Sequence, residues 1–220
     1  MARIISLIAR KGGVGKTTIA ANLAGELGRS EARIHAIDAD PQRSLSIWAS
    51  QGNGFLRTRV TAVSAGTEAE LKEALRPLEE EAELLVIDTP PGFGGPALLA
   101  AAVSDLVLLP CGASPLDLAA GRDALALCRQ IQQRAGRRMV IGLVPSRYSA
   151  NTGLGRDLPE SLRKLGERTL PGITNRVALA EAAIAGLTIG EYAPKSAAHA
   201  EFEQLAGTVW RWLDEKCQTA

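Results

Sequence analysis

The sequence predicts an α/β fold in which helices cover both faces of a doubly wound, mostly parallel β-sheet. Two patterns in the 220 residues support this prediction: short apolar runs recur along the chain, and longer Ala- and Leu-rich segments separate them. The apolar runs are continuous rather than alternating, which is typical of parallel strands buried on both faces. Strands that alternate with helices favour right-handed crossovers, and ligands of such sheets bind beyond the carboxyl ends of the strands.

The predicted elements follow one another without a break in the pattern. Strands are predicted at residues 3–9, 34–38, 60–63, 84–88, 105–110 and 139–145. Helices are predicted at residues 16–27, 68–83, 96–103, 116–135 and 157–170, followed by a last strand at residues 187–190 and a final helix at residues 197–216. The chain shows no internal repeat or linker, so we expect a single domain spanning residues 1–220.

Composition excludes several classes of protein. Hydrophobic residues make up 46% and charged residues 22%, so the composition is not that of an intrinsically disordered protein. No apolar stretch reaches the roughly 20 residues that a membrane span needs. Cys111, Cys128 and Cys217 show no CxxC spacing, which argues against a disulfide framework, a zinc site and a cysteine-ligated iron–sulfur site within one chain. A reduced, cytosolic setting is therefore expected.

A glycine-rich segment at residues 11–18, KGGVGKTT, follows the first predicted strand and opens the first predicted helix. A phosphate-binding loop needs this context, because glycines turn backbone N–H groups towards phosphate oxygens and the helix N-terminus favours negative charge. Lys16 is expected to reach the β- and γ-phosphates of a nucleotide, and the Thr17 hydroxyl to bind Mg²⁺. A glycine-rich turn with chance lysines is the alternative. The predicted nucleotide-binding residues are Lys11, Gly12, Gly13, Val14, Gly15, Lys16, Thr17 and Thr18.

Position 10 departs from the general phosphate-loop pattern, because Arg10 stands where that pattern has a glycine. The lysine at the start of the loop, Lys11, makes KGGVGKTT resemble the ParA/MinD superfamily of deviant Walker A ATPases. The resemblance implies ATP as the nucleotide and an ATP-dependent sandwich dimer, in which Lys11 of one subunit reaches the phosphates held by the other. A solvated loop lysine is the alternative for Lys11. The sequence has no NKxD segment for guanine, which agrees with ATP.

Three aspartates stand at the carboxyl ends of two predicted strands, where they face the expected phosphate site. Asp38 and Asp40 belong to IDADPQ, and Asp88 ends the apolar run LLVID before TPPG. Carboxylates in these places can hold Mg²⁺ or orient an attacking water. Resemblance to the family's DxDPQ and DTPPG segments implies that Asp38 and Asp88 lie with Thr17 near the metal, and that Asp40 joins Lys11 and Lys16 in catalysis. A strand-ending turn at Asp40 and a helix cap at Asp88 are the alternatives.

The segment PCGASPLD at residues 110–117 resembles the P-x-x-x-S-P-x-D segment of short ParA-like proteins. Asp117 is expected to cap the helix that follows, or else to touch a partner subunit or the nucleotide. Cys111 has no neighbouring ligand and is expected to be structural. Because the phosphate loop begins at residue 11, we expect the short form, without the additional N-terminal DNA-binding region of larger plasmid-type members.

Charge is unevenly distributed although the net charge is only +1. Residues 129–176 contain 10 basic and 3 acidic groups, and Arg137 and Arg138 belong to this block. Such clustering can neutralise DNA phosphates without reading the sequence, and the family resemblance also implies nonspecific DNA binding. A solvated helical face is the alternative. The candidate DNA contacts are Arg147, Arg163, Lys164, Arg168 and Arg176.

The C-terminal segment EFEQLAGTVWRWLDEKCQTA bears on a membrane role. Phe202, Leu205, Val209 and Leu213 have helical spacing, which would suit either a lipid-binding helix or a helix packed on the domain. The polar residues around them are mostly acidic, and an anionic bilayer would repel them. The sequence therefore favours a packed helix and argues against a membrane partner.

These observations predict a ParA-like ATPase of the cytoplasm, associated with the nucleoid. The resemblance implies that ATP and Mg²⁺ support dimerisation, that the dimer binds nonspecific DNA, and that a cargo-linked activating protein stimulates slow hydrolysis to ADP and phosphate. The cargo would be a plasmid, a chromosome or a protein assembly. The alternatives are a MinD-like cell-division ATPase on the membrane, an iron–sulfur carrier, and a small-molecule ligase with the same loop.

Overall fold

The computed structural model of the protein describes residues 2–29, 32–135 and 139–217. Its strands are β1 Arg3–Leu7, β2 Ile34–Asp38, β3 Val60–Ala62, β4 Leu84–Asp88, β5 Leu106–Cys111, β6 Val140–Tyr148, β7 Arg168–Thr169 and β8 Ile173–Thr174. Its helices are α1 Lys16–Gly28, α2 Ser44–Ser50, α3 Glu68–Glu81, α4 Gly95–Val103, α5 Pro115–Ala135, α6 Gly153–Arg163, α7 Val177–Ile184, α8 Ile189–Tyr192 and α9 Ala197–Cys217, with a 3₁₀ turn at Phe55–Thr58.

The strands form a parallel sheet in the order β3-β2-β4-β1-β5-β6-β7, and β8 pairs with β6. β1 lies at the centre between β4 and β5, so the chain turns towards one edge after β1 and crosses to the other edge after β4. This reversal opens a crevice at the carboxyl end of β1, where ligands of doubly wound sheets bind. The fold class predicted from the sequence is confirmed.

Both faces of the central strand are buried, which explains the continuous apolar runs. Ile5 and Leu7 pack towards α1 and α9, whereas Ile4 and Ile8 pack into separate clusters on the opposite face. Every residue of β4 is buried in the same way. Covering of both faces removes the alternation that a half-exposed strand would show.

The predicted C-terminal helix is confirmed, and it packs on the domain. Phe202, Leu205, Val209 and Leu213 are buried, and they join the cluster that contains Leu23 of α1. The apolar stripe of α9 is thereby used inside the protein. Within the described residues, none of the helices combines the length and the apolar character that a membrane crossing requires.

Two predicted elements are wrong. The segment predicted as a strand at residues 187–190 contains the start of α8, because Thr188 and Glu191 form a reciprocal capping box that begins a helix. The helix predicted at residues 157–170 begins earlier, since the Thr152 hydroxyl accepts a hydrogen bond from the Gly155 N–H, and it gives way to β7. Helices α2 and α7 are additional to the prediction.

Candidate functional site

The glycine-rich segment forms a loop between β1 and α1, as the sequence predicted. Gly13 and Gly15 have φ values of 74° and 93°, in the left-handed region that favours glycine. A Cβ atom on Gly15 would stand 2.9 Å from the Ser146 hydroxyl oxygen. Gly15 is therefore required for two independent reasons, its backbone conformation and the space beside it.

The loop is fastened to the end of β6 by two residues. The Ser146 hydroxyl donates a hydrogen bond to the Val14 carbonyl at 2.7 Å, and Arg147 donates from Nη1 to the Gly13 carbonyl at 2.9 Å. Arg147 itself has a φ of 52°, an uncommon value for a non-glycine residue. The sequence singled out Arg147 as a DNA contact; the structure places its guanidinium against the phosphate loop.

Lys16 stands at the first position of α1 with its side chain mostly buried in the cleft. Burial lowers the pKa of its ammonium below the ordinary value, and the negative charges of Asp88 and Asp40 oppose that shift. A cation that has lost much of its water binds phosphate strongly, because little solvent screens the attraction. Lys16 therefore suits the phosphate-binding role that the sequence predicted.

Thr17 and Asp88 meet across the cleft. The Thr17 hydroxyl donates to Asp88 Oδ2 at 2.6 Å, whereas Asp88 Oδ1 is buried and accepts no hydrogen bond from the described residues. Burial raises the pKa of Asp88 to about 7, although the Thr17 hydrogen bond and the Lys16 charge act in the opposite direction. A hydroxyl and a buried carboxylate with an unused oxygen fit Mg²⁺, a cation that prefers oxygen ligands.

Asp38 lies beside Asp88 in the sheet but binds elsewhere. Its Oδ2 accepts hydrogen bonds from the Ser46 N–H at 2.8 Å and the Ser46 hydroxyl at 2.7 Å, and its Oδ1 accepts from the Asp40 N–H at 3.2 Å. Both oxygens are thus occupied in fastening α2 and the DADPQ turn. Asp38 therefore helps to position these two segments, and Thr17 and Asp88 are the stronger candidates for holding a metal ion.

Asp40 has the opposite arrangement. Its side chain lines the cleft, and Oδ1 accepts a hydrogen bond from the Gln42 N–H at 2.9 Å. That bond fixes the carboxylate without using its second oxygen. Asp40 thus faces the cleft that Lys16 and Thr17 also line.

Lys11 points away from this cleft. Its Nζ donates to Asp117 Oδ1 at 2.8 Å, and Ser114 donates to the other carboxylate oxygen of Asp117 at 2.6 Å. Burial would raise the pKa of Asp117, but the hydrogen bonds from Lys11 and Ser114 outweigh it and hold the pKa below its ordinary value. The pair joins the start of the phosphate loop to the first turn of α5.

The cleft has a volume of about 680 Å³ and a mixed lining. One wall is polar and consists of the phosphate loop, Asp40 and Gln42. The other includes two large apolar side chains with high exposure, Ile47 of α2 at 55% and Ile184 of α7 at 78%. Both belong to helices that sequence reasoning missed, although Leu45, Trp48 and Ala49 carried the helical spacing that could have revealed α2.

Three of the four remaining candidate DNA contacts form ion pairs. Arg163 bonds Glu160 at 3.3 Å, Arg168 bonds Glu215 at 2.9 Å, and Arg176 bonds Glu201 at 2.8 Å. Lys164 is exposed beside Arg163. Arg137 and Arg138 lie outside the described residues. The pairs reduce the positive potential that the sequence alone suggested.

A central parallel sheet, a glycine-lined loop at a helix N-terminus, a buried lysine and a Thr–Asp pair define a P-loop nucleotide-binding protein. The comparison with family models gives the finer result. The chain belongs to the CobQ/CobB/MinD/ParA nucleotide-binding domain family, whose model matches residues 5–189. The resemblance derived from KGGVGKTT, DADPQ and DTPPG is thereby confirmed.

Named relatives have similar lengths and partition or positioning roles. The chain is 35% identical to "Maintenance of carboxysome distribution protein A" of Gloeobacter kilaueensis over 211 residues, which cover 90% of this chain and 89% of that protein. It is 30% identical to the chromosome-partitioning ATPase Soj of Thermus thermophilus over 244 residues, with 97% of both chains covered.

Solved structures support the fold. An ATP complex of a Cyanothece McdA variant superimposes with a TM-score of 0.79 at 19% identity, covering 97% of this chain and 96% of that one. The cell-division ATPase MinD of Pyrococcus furiosus superimposes with a TM-score of 0.78 at 23% identity, covering 96% of this chain and all of the other. At these identities the likeness concerns the fold.

Proposed function

We propose that the protein is a ParA-type ATPase that uses ATP binding and hydrolysis to position or segregate a cargo. The observation that carries the proposal is the convergence of Lys16, the Thr17–Asp88 pair and Asp40 on one cleft while Lys11 stays outside it. The named relatives add a role in partition or positioning.

The cleft suits a nucleoside triphosphate together with a divalent metal ion. The loop N–H groups and Lys16 bind the phosphates, and Thr17 with Asp88 hold Mg²⁺. When bound, the ion would neutralise negative charge that develops on the phosphate oxygens. A cavity lined by Ser146, Thr174 and Asn175 adjoins the loop beyond Gly15. The Asn175 amide offers the donor and acceptor pair that the adenine edge needs.

Hydrolysis needs a water molecule in line with the γ-phosphorus. The second oxygen of Asp40 accepts a hydrogen bond from that water and orients it, and Lys16 stabilises the charge on the transferred group. The water oxygen bonds to phosphorus as the bond to the β,γ-bridging oxygen breaks, giving ADP and phosphate. Because Lys11 lies outside the cleft, the isolated chain is expected to hydrolyse ATP slowly.

Dimerisation completes the site. In the proposed sandwich dimer, Lys11 leaves Asp117 and reaches the phosphates held by the other subunit. The dimer then binds nucleoid DNA without sequence preference, chiefly through phosphate contacts that salt weakens. A cargo-linked protein stimulates hydrolysis and releases the dimer, so the cargo follows the distribution of bound ATPase in the cytoplasm.

The test is retention of DNA of arbitrary sequence by purified protein with ADP and with ATP, across a salt series. We expect binding with ATP, loss of binding at raised salt, and no ATP-dependent binding for Lys16→Ala. Replacement of Arg163 and Lys164 by alanine should weaken DNA binding several-fold without changing nucleotide affinity, whereas alanine at the exposed Arg76 of α3 is the matched control.

Liposomes of anionic lipid serve as the competitor. ATP-dependent binding to liposomes without DNA binding would contradict the proposal and favour a MinD-like membrane role. Binding to neither would favour the small-molecule ligase alternative. ATP turnover by Lys16→Ala equal to that of the wild type would contradict the assignment of the cleft itself.

A further inference from the structure

Three side chains of types that can bind a metal ion meet where the far end of α1 packs on α9. Glu26 lies on α1, ten residues beyond Lys16 and therefore roughly 15 Å along the helix from the phosphate loop. His199 and Glu203 lie one helical turn apart on α9. A carboxylate oxygen or ring nitrogen from each of the three falls within 4.8 Å of the others. The cluster is separate from the nucleotide cleft.

Two of these groups are buried and lack hydrogen bonds at the facing atoms. Glu26 is 8% exposed and His199 is 4% exposed. Glu26 Oε1 and His199 Nε2 are 3.1 Å apart, but neither makes a hydrogen bond with the described residues. The two atoms are therefore at hydrogen-bonding distance but are not oriented for a hydrogen bond. Burying two polar atoms without hydrogen bonds lowers the stability of a protein.

The other ring nitrogen of His199 determines what faces Glu26. Nδ1 lies 2.6 Å from the Pro194 carbonyl oxygen, which only accepts, so Nδ1 carries a proton. In the neutral ring, Nε2 then presents a lone pair towards the carboxylate. Two acceptors at 3.1 Å repel each other unless a cation lies between them.

A bound metal ion fits this arrangement better than a shared proton does. A proton on Nε2 would be expected to point at Oε1, which the geometry does not show. A Zn²⁺ ion about 2.0–2.2 Å from both atoms accommodates a separation of 3.1 Å with the ion off the line that joins them. Metal-binding histidines also commonly donate their second ring N–H to a backbone carbonyl, as His199 does to Pro194.

The surroundings leave room for the cluster and balance its charge. Gly190 of α8 closes the site, and a Cβ atom there would stand 2.3 Å from Glu26 Oε1 and 3.1 Å from His199 Nε2. Arg29 approaches the other carboxylate oxygen of Glu26, Oε2, at 3.8 Å, which leaves Oε1 directed at His199. Glu203 Oε1 lies 3.9 Å from Nε2 on a side chain that is 58% exposed.

We propose that Glu26, His199 and Glu203 bind one divalent transition-metal ion, expected to be Zn²⁺, which clamps α1 to α9. One imidazole and two carboxylates supply three ligands and two negative charges, and the exposed side of Glu203 leaves a fourth position for water. No cysteine takes part in this cluster, so the spacing of the cysteines has no bearing on it.

Titration of the full chain with Zn²⁺ alone tests the proposal. The protein is prepared without a histidine tag and freed of metal by a chelator, and binding is followed by calorimetry and by thermal unfolding. We expect one ion per chain at this site. A free Zn²⁺ concentration a hundredfold above the dissociation constant should raise Tm by about 5–10 °C. Absence of saturable binding would overturn the proposal.

Matched variants assign the binding to these residues. Glu203→Gln keeps an exposed side chain of the same shape and should weaken Zn²⁺ binding at least tenfold, roughly the loss seen when even an outer-shell partner is removed. His199→Asn should abolish this binding. The control is His35→Gln, which changes the chain's other histidine and should bind Zn²⁺ as the wild type does.

Two further outcomes would contradict the site. If Glu203→Gln binds Zn²⁺ as tightly as the wild type does, the ion binds at another site, for example at the Thr17–Asp88 pair. Thiolate charge-transfer absorption after substitution with Co²⁺ would show that a cysteine binds the ion. Glu203→Gln should retain ATP affinity, so the result stands independently of the proposed ATPase function.

Discussion

At the scale of single residues, Asp88 has the most demanding environment of the cleft. It is fully buried at the end of β4, and its raised pKa of about 7 shows that the ionised form is disfavoured without a bound cation. Ionisation of Asp88 in the absence of a cation therefore lowers the stability of the folded protein. Ligand binding repays that cost.

The pH dependence of stability follows from this pKa. The folded state binds the Asp88 proton more tightly than the unfolded chain, so the stabilisation is complete below about pH 4 and is lost as pH rises through about 7. Asparagine at position 88 does not titrate, so the Asp88→Asn variant does not lose this stabilisation as the pH rises. Between pH 5 and pH 8, the metal-free variant should gain about 2–3 kcal/mol of unfolding free energy relative to the wild type.

Urea unfolding at the two pH values measures this difference. Asp214→Asn is the control, because it makes the same substitution at an exposed aspartate. If the difference in unfolding free energy between the wild type and Asp88→Asn does not change with pH, then Asp88 is ionised over the whole range, and the prediction is wrong.

At the scale of elements, the first turn of α2 depends on a cap supplied by a residue at the end of strand β2. Asp38, at the end of β2, accepts hydrogen bonds from both the N–H and the hydroxyl of Ser46 in the first turn of α2. Anionic groups near a helix N-terminus are favourable. Since α2 carries Ile47 and Trp48 in the cleft wall, the cap connects β2 to the shape of the nucleotide site.

Ser46→Ala removes the hydroxyl bond and retains the backbone one. The free energy of unfolding should fall by about 1.5 kcal/mol, the usual effect of losing a hydrogen bond to a charged group. Nucleotide affinity should fall with it, because the α2 wall loosens. Ser50→Ala on the same helix is the control and should stay within about 0.5 kcal/mol, since Ser50 is exposed. Equal effects of the two variants would contradict the capping role.

Features with local sequence signals could be predicted, and contacts between distant segments could not. β1, the loop and α1 follow from one run of sequence, because the apolar strand, the glycines and the helix start are contiguous. By contrast, the placement of α2 depends on a contact with a distant segment, because the Trp48 indole donates a hydrogen bond to the Leu187 carbonyl, 139 residues along the chain. The fastening of the loop by Ser146 and Arg147 likewise depends on tertiary structure.

At the scale of the whole molecule, the Lys11–Asp117 pair bears on assembly. In the proposed sandwich dimer, Lys11 must leave Asp117 to reach the second subunit, so the ion pair would favour the separate chain. A partly exposed ion pair contributes about 0.5–1 kcal/mol, and a symmetric dimer would break two. The pair is therefore expected to oppose dimerisation by roughly 1–2 kcal/mol.

Asp117→Asn should tighten the ATP-dependent dimer about fivefold to thirtyfold, because each 1.4 kcal/mol is a factor of ten. The amide oxygen of asparagine retains an acceptor for the Ser114 hydroxyl. Sedimentation of the ATP-bound protein at several concentrations gives the dissociation constant, with Asp123→Asn as a control on the same helix. A weaker dimer would mean that Asp117 itself belongs to the interface.

The central place of β1 has a consequence for synthesis on the ribosome. β1 is translated first, yet its two neighbours end at residues 88 and 111, and the loop that follows it is fastened by residues 146 and 147. Domains fold during synthesis only as their contacts become available. The phosphate loop is therefore expected to form only after about two thirds of the protein has been synthesised. Nucleotide binding is expected to begin only at that stage.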